Sequence, residues 1–122
     1  MAADDLRTRL RAASTAALKA RERDVAAAFR SVLGAIDNAE AVAAPEPLPV
    51  GDSPVAGAVS GLGAGDVARR ALGEEDIVAI VVAELADLRD SADDYDGLGQ
   101  AERAARLRAG ADAIDAVLLA ET

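Results

Sequence analysis

Alanine fills 32 of the chain's 122 positions, and that choice narrows the fold before any motif is read. Alanine has the highest intrinsic helix propensity of the common residues. Its methyl group buries little apolar area, so each alanine contact between helices is worth less than a leucine or phenylalanine contact. The same smallness lets helix backbones approach closely. Phe29 and Tyr95 are the only aromatics. The expected core is therefore Leu, Val and Ile set in a field of Ala. The length predicts one domain, residues 1–122.

Apolar residues recur at helical spacing in four stretches. In the first, about 4–20, Leu6, Leu10, Ala13 and Ala17 share a face, with Leu18 beside them. Asp4 and Asp5 suit its N-terminus, and the cations of Lys19-Ala-Arg-Glu-Arg23 suit its end. The second, about 24–41, opens on Asp24 as N-cap and carries the clearest stripe: Val25, Ala28, Phe29, Val32, Leu33 and Ile36. The short junction 21–24 implies an antiparallel helical hairpin.

Residues 43–65 change character. Four prolines and five glycines fall within this stretch. Proline removes helix hydrogen bonds and glycine raises the entropy cost of ordering, so a flexible linker is expected. Gly61-Leu-Gly-Ala-Gly65 within it lacks the preceding strand and the Gly-Lys-Ser/Thr of a phosphate loop. A short helix or turn, capped by Asp66, is expected over 66–72.

The third helical stretch opens on Gly73-Glu-Glu-Asp76, with acids in its first turn. Ile77, Val81, Leu85, Leu88, Ala92 and Tyr95 lie on one face, while Val78, Ile80 and Val82 thicken the apolar side. The β-branched start also reads as a buried strand, but the stripe continuing to Tyr95 favours helix. Gly97-Leu-Gly99 is a break. The fourth stretch, 100–120, points Leu107, Ala111, Ile114 and Leu118 inward. Glu102 and Arg106 form a favourable i,i+4 pair. Gly110 costs about 1 kcal/mol relative to Ala in mid-helix, which suggests a close helix contact there. The fold class is all-α: an antiparallel four-helix bundle of two hairpins joined by a long Pro/Gly-rich connection.

The chain has neither cysteine nor histidine. That excludes disulfides, thiol chemistry, histidine acid–base work and nearly all zinc sites. Net charge is −9. The acidic C-terminal half repels phosphate backbones. The basic cluster is N-terminal: Arg7, Arg9, Arg11, Lys19, Arg21 and Arg23. Asp90, Asp93, Asp94 and Asp96 match neither a calcium loop register nor a di-iron helix pair, so they read as a solvated helix end. Ser14, Thr15, Ser31 and Lys19 have no local base to activate them. No catalytic, cofactor or metal site is expected. No apolar run reaches membrane-spanning length, and the acidic start is unlike a signal peptide, so a cytoplasmic protein is expected. Twelve arginines against one lysine accord with a GC-rich genome.

Arg30, Asn38 and Glu40 carry the most specific pattern. Glu40 falls on the side of Leu33 and Ile36 and near a helix C-terminus, where the dipole disfavours an anion. Such a carboxylate is placed to reach a basic partner. The run Phe29-Arg-Ser-Val-Leu-Gly-Ala-Ile-Asp-Asn-Ala-Glu40 resembles the signature of the GatB/YqeY family. The stretch from Glu74 to Tyr95 is similar to that family's next helix, residues 101–118 match the following one in character, and Leu6–Arg23 fits its opening helix. The resemblance implies an all-helical fold and kinship with the tail of the B subunit of the tRNA-dependent amidotransferase. That enzyme is a carbon–nitrogen ligase with glutamine as amido donor, and its catalytic groups lie in other domains. Position by position, only Arg30, Asn38 and Glu40 match the signature. The long linker after Glu40 departs from the family, as does the lack of its second, smaller helical subdomain.

The expected function is thus a non-catalytic helical module docking to tRNA or amidotransferase machinery, with the basic N-terminal helix (Arg7, Arg9, Arg11) as one contact face. A structural or self-associating bundle with a protein partner and no RNA link is the alternative.

Overall fold

The computed structural model describes residues 5–43 and 72–120, and among these it contains four helices and no strand. They are α1 (Leu6–Lys19), α2 (Arg23–Ala43), α3 (Glu74–Gly97) and α4 (Ala101–Leu119). The described residues divide between two units, with 5–36 and 73–120 in one and 37–43 and 72 in the other. The first unit holds α1, α3, α4 and α2 as far as Ile36. The expected linker lies outside the described residues except for Ala43, which is helical. The expected short helix over 66–72 lies outside them except for Leu72, which has no regular structure.

The four helices of the first unit run alternately up and down. The amide of Leu6 donates to Glu74 Oε2 at 3.0 Å, so α1 and α3 begin at the same end. Arg9 Nη1 donates to the carbonyl of Val117 at 2.7 Å, so α4 ends there. Near the other end Arg106 of α4 faces Asp24 of α2. Ser31 Oγ donates to Glu84 Oε1 at 3.3 Å, joining α2 to α3 midway.

The buried faces follow the predicted stripes. Leu6, Leu10 and Ala17 of α1 are buried, as are Ala28, Phe29, Val32 and Ile36 of α2. Ile77, Val81, Leu85 and Ala92 of α3 meet them, with Ala104, Ala111 and Ile114 of α4. Burying each large aliphatic side chain contributes about 1.5–3 kcal/mol, and the alanines much less. The β-branched start of α3 is helical. Two expected apolar positions are corrected: Leu18 and Val82 are exposed. Leu18 lies 100° round the helix from Ala17, on the side of Arg7 and Arg11, and Val82 follows the fully buried Val81 by the same 100° step.

Both hairpins turn on the same corner. At the end of α1, Glu22 N donates to Ala17 O at 2.9 Å and Arg21 N to Leu18 O at 3.0 Å. At the end of α3, Gln100 N donates to Tyr95 O at 2.8 Å and Gly99 N to Asp96 O at 3.0 Å. Each is a Schellman motif with one left-handed residue. That residue is Arg21 in the first (φ 62) and Gly99 in the second (φ 78). The residue after it accepts the first bond of the next helix: Glu22 O from Ala26 N, and Gln100 O from Ala104 N. Asp24, expected as the N-cap of α2, therefore lies inside its first turn. With Arg21 left-handed, the helix restarts from Glu22, two residues before the expected cap.

Gly110 is where α2 and α4 approach most closely among the glycine sites. A Cβ there would lie 2.6 Å from Ala28 Cβ and 3.6 Å from the Asp24 carbonyl oxygen. At Gly34 the same atom would meet nothing within 4 Å. Gly110→Ala is expected to destabilise the chain by about 1–3 kcal/mol despite alanine's better propensity, because neither backbone can retreat cheaply. Ala28→Gly in the same chain restores part of that stability, and Gly34→Ala gains about 0.5–1 kcal/mol. Urea unfolding measures all three. The corners give a second, reciprocal pair. Arg21→Gly raises stability by about 0.5–1 kcal/mol, whereas Gly99→Ala lowers it by about 1 kcal/mol. Thermal midpoints that move the same way in both variants would contradict the assignment.

Candidate functional site

The three arginines of α1 do not share a face. Successive helix residues turn by 100°, so Arg7 and Arg11 lie within 40° of each other and Arg9 opposes them. Arg7 and Arg9 are half-buried, and Arg11 is exposed. Arg9 holds the C-terminal turn of α4 through its bond to Val117, and buried guanidinium atoms of both Arg7 and Arg9 lie within the fold. Of the predicted contact face, Arg11 is the member that stands out into solvent.

The family-like trio divides between the two units. Arg30 is exposed on α2 within the first unit. Asn38 and Glu40 belong to the second, Asn38 exposed and Glu40 half-buried.

Most other charges serve the scaffold. Asp5 caps α1, its Oδ1 accepting from Thr8 N at 2.8 Å. That backbone hydrogen bond, with Thr8's side chain, holds the Asp5 carboxyl below its usual value of 3.8. Asp76 Oδ2 accepts from Gly73 N at 3.0 Å and so folds the start of α3 on itself. Arg108 reaches across the second hairpin to Asp93 and Asp96, both at 2.7 Å. The two hydrogen bonds, that to Asp96 foremost, push its guanidinium above its ordinary value. Arg89 does the same toward Asp112 at 3.2 Å and Asp115 at 3.6 Å. Half of the acidic run at the end of α3 is thus occupied by an arginine from α4. Among the described residues no group of three or more acids forms a metal-binding set, and no helix is long and apolar enough to cross a membrane.

One concavity differs from the rest of this surface. A groove of about 500 Å³ opens between α2, α3 and α4. Buried Ala28 and Gly110, with half-buried Leu88 and Leu107, form its floor. Tyr95 walls one end, and the Arg103 guanidinium sits 5.1 Å from its ring centroid. Asp24 and Arg106 stand on the rim, 3.9 Å apart.

No family model, curated protein or solved structure matches the chain.

Sequence reasoning missed the groove because its floor depends on which helix crosses which. Gly110 was the one signal, and it marked the crossing without naming Ala28 as the partner. Tyr95 was assigned to the inward stripe, and it lies at the stripe's half-buried end.

The lowered carboxyl of Asp5 fixes a sign. A carboxylate whose folded value is depressed adds stability above its unfolded value and loses it as pH falls through the folded one. Asp5→Ala is therefore expected to lower the thermal midpoint at neutral pH, and the two proteins are expected to converge as pH falls through the lowered value of the folded carboxyl. A difference that persists undiminished in acid would show that the cap acts by something other than its charge.

Proposed function

We propose that the chain is a non-catalytic helical module of GatB/YqeY type that docks to the machinery amidating misacylated tRNA. The observation that carries this reading is the exposure of Arg30 on α2, at the motif's basic position. Arg89 and Arg108 are engaged at the surface by carboxylates of their own hairpin, and the arginine of the motif is exposed on a different helix. The resemblance of residues 29–40 and 74–95 supplies the link to amidation. The acidic balance of the chain limits any phosphate contact to a few arginines, so binding through them is modest and sensitive to salt.

The test uses the full chain with purified tRNA-dependent amidotransferase and with tRNA, at moderate salt. Association with either is expected, weakened by Arg30→Glu and Arg11→Glu together. These two positions are exposed, so the change does not disturb the core. Arg9 is left intact because it ties α1 to α4. For every arginine–phosphate pair that a substitution removes, the slope of log affinity against log salt should fall by about 0.7–0.9. No association with either component would remove the amidation link. Glutamine-dependent amidation by the chain alone would overturn its non-catalytic character.

A self-associating bundle is the second reading, favoured by Leu18 at 56% exposure and Leu98 at 70%. Both lie at the end where the two hairpins turn. Light scattering that gives a concentration-dependent dimer, abolished by Leu98→Ser, would favour this second reading over the first.

A further inference from the structure

The geometry points to the groove between α2, α3 and α4 as a docking site for a short partner helix with an apolar face flanked by carboxylates. This inference rests on reading the chain as a docking module, but not on its link to amidation.

The charged groups lining the groove are on balance basic. The chain has 22 acidic residues against 13 basic ones, yet the groove gathers two arginines and one aspartate. Those arginines are held differently from their neighbours in the same hairpin. Arg108 and Arg89 are bound to carboxylates at 2.7–3.6 Å. Arg106 touches Asp24 and Glu102 only at 3.9 Å, and the side chains of both partners are more than half exposed. Arg103 lies over the Tyr95 ring, and among the described residues no carboxylate pairs with it. Two cations thus border an apolar trough, one lying over an aromatic ring and the other held loosely by two exposed carboxylates.

Shape narrows the occupant further. The floor is made of small or aliphatic groups: Ala28, Gly110, Leu88 and Leu107. Ala27 on the exposed side of α2 leaves the wall low, so the trough is open along its side. An open, shallow trough suits the leucine ridge of a helix, whereas small-molecule sites enclose most of their ligand. The floor and the rim ask for different chemistry: aliphatic side chains below, and a carboxylate above for Arg103 and Arg106. An amphipathic acidic helix supplies both at i, i+3 and i+4 spacing. A nucleic-acid strand fits less well, because the floor is aliphatic and the one ring on which a base could stack, Tyr95, already lies under Arg103.

The experiment uses the full chain and two fluorescein-labelled helical peptides of about 16 residues, each with leucines at i, i+3, i+4 and i+7. One carries glutamates beside the leucines, and the other carries lysines there. Anisotropy is expected to show the glutamate peptide binding roughly fivefold tighter at low salt, the size of effect expected for exposed ion pairs. Arg103→Glu with Arg106→Glu should reverse that preference, with circular dichroism unchanged. Ala27→Trp, which fills the trough from an exposed position, should abolish binding of both peptides. Equal affinity for the two peptides, or a preference unmoved by the charge reversal, would overturn the inference. So would binding of an oligouridine probe, dependent on the same arginines, without peptide binding. Absence of peptide binding beside intact association with tRNA or amidotransferase sinks this inference alone and spares the amidation reading.

Discussion

The contact between Ala28 and Gly110 sets the terms for the rest of the bundle. A chain with so many alanines gains little from each pair of side chains, so it must bring its helices close to gain enough from packing. At this crossing the backbone of α4 presents no side chain at all and that of α2 presents a methyl. The larger aliphatic residues farther along, Leu10, Ile36, Val81 and Ile114, are fully buried around that approach. Residue choice and helix spacing are one decision here. Larger groups at the crossing would open the trough beside it and separate the very stripes that the larger side chains fill.

Much of this was legible in residue order, and the part that was not has a common cause. Periodicity marked the four helices, and most of the large buried side chains of each stripe were among those it picked, from Leu6 to Ile114. Gly110 announced a close contact. Periodicity reads one helix at a time, however. It could not say that Leu18 would fall past the edge of the inward arc, or that Ala104 and Ala26 would be buried. Those outcomes depend on neighbours supplied by other helices. The boundary at Asp24 was misread because capping chemistry favours aspartate, while the corner formed by Ala17 to Glu22 needed only backbone groups.

The candidate site was less legible still. The arginines of α1 look like a cluster when written in a line, but a helix separates alternate residues by 200°, and Arg9 ends up serving Val117. The acidic run after Asp90 looked like open charge, and Arg108 takes up two of its members. In both cases the sequence gives charges without their partners. What distinguishes Arg103 and Arg106 is their place beside an apolar floor, which only the packing of three helices creates.

The paired corners bear on the order in which the molecule assembles. The second hairpin joins neighbours along the chain, turns on a glycine that accepts the left-handed conformation without strain, and is laced by Arg108 and Arg89. The first hairpin must hold an arginine in that same conformation. Local contacts form early, since little chain entropy is given up in closing them. Both hairpins are local, so the strain at Arg21 and the ion pairs across α3–α4 lead us to expect the α3–α4 pair to form first. Substitutions in the α3–α4 corner are then expected to slow refolding, and those at Arg21 to alter chiefly the unfolding rate.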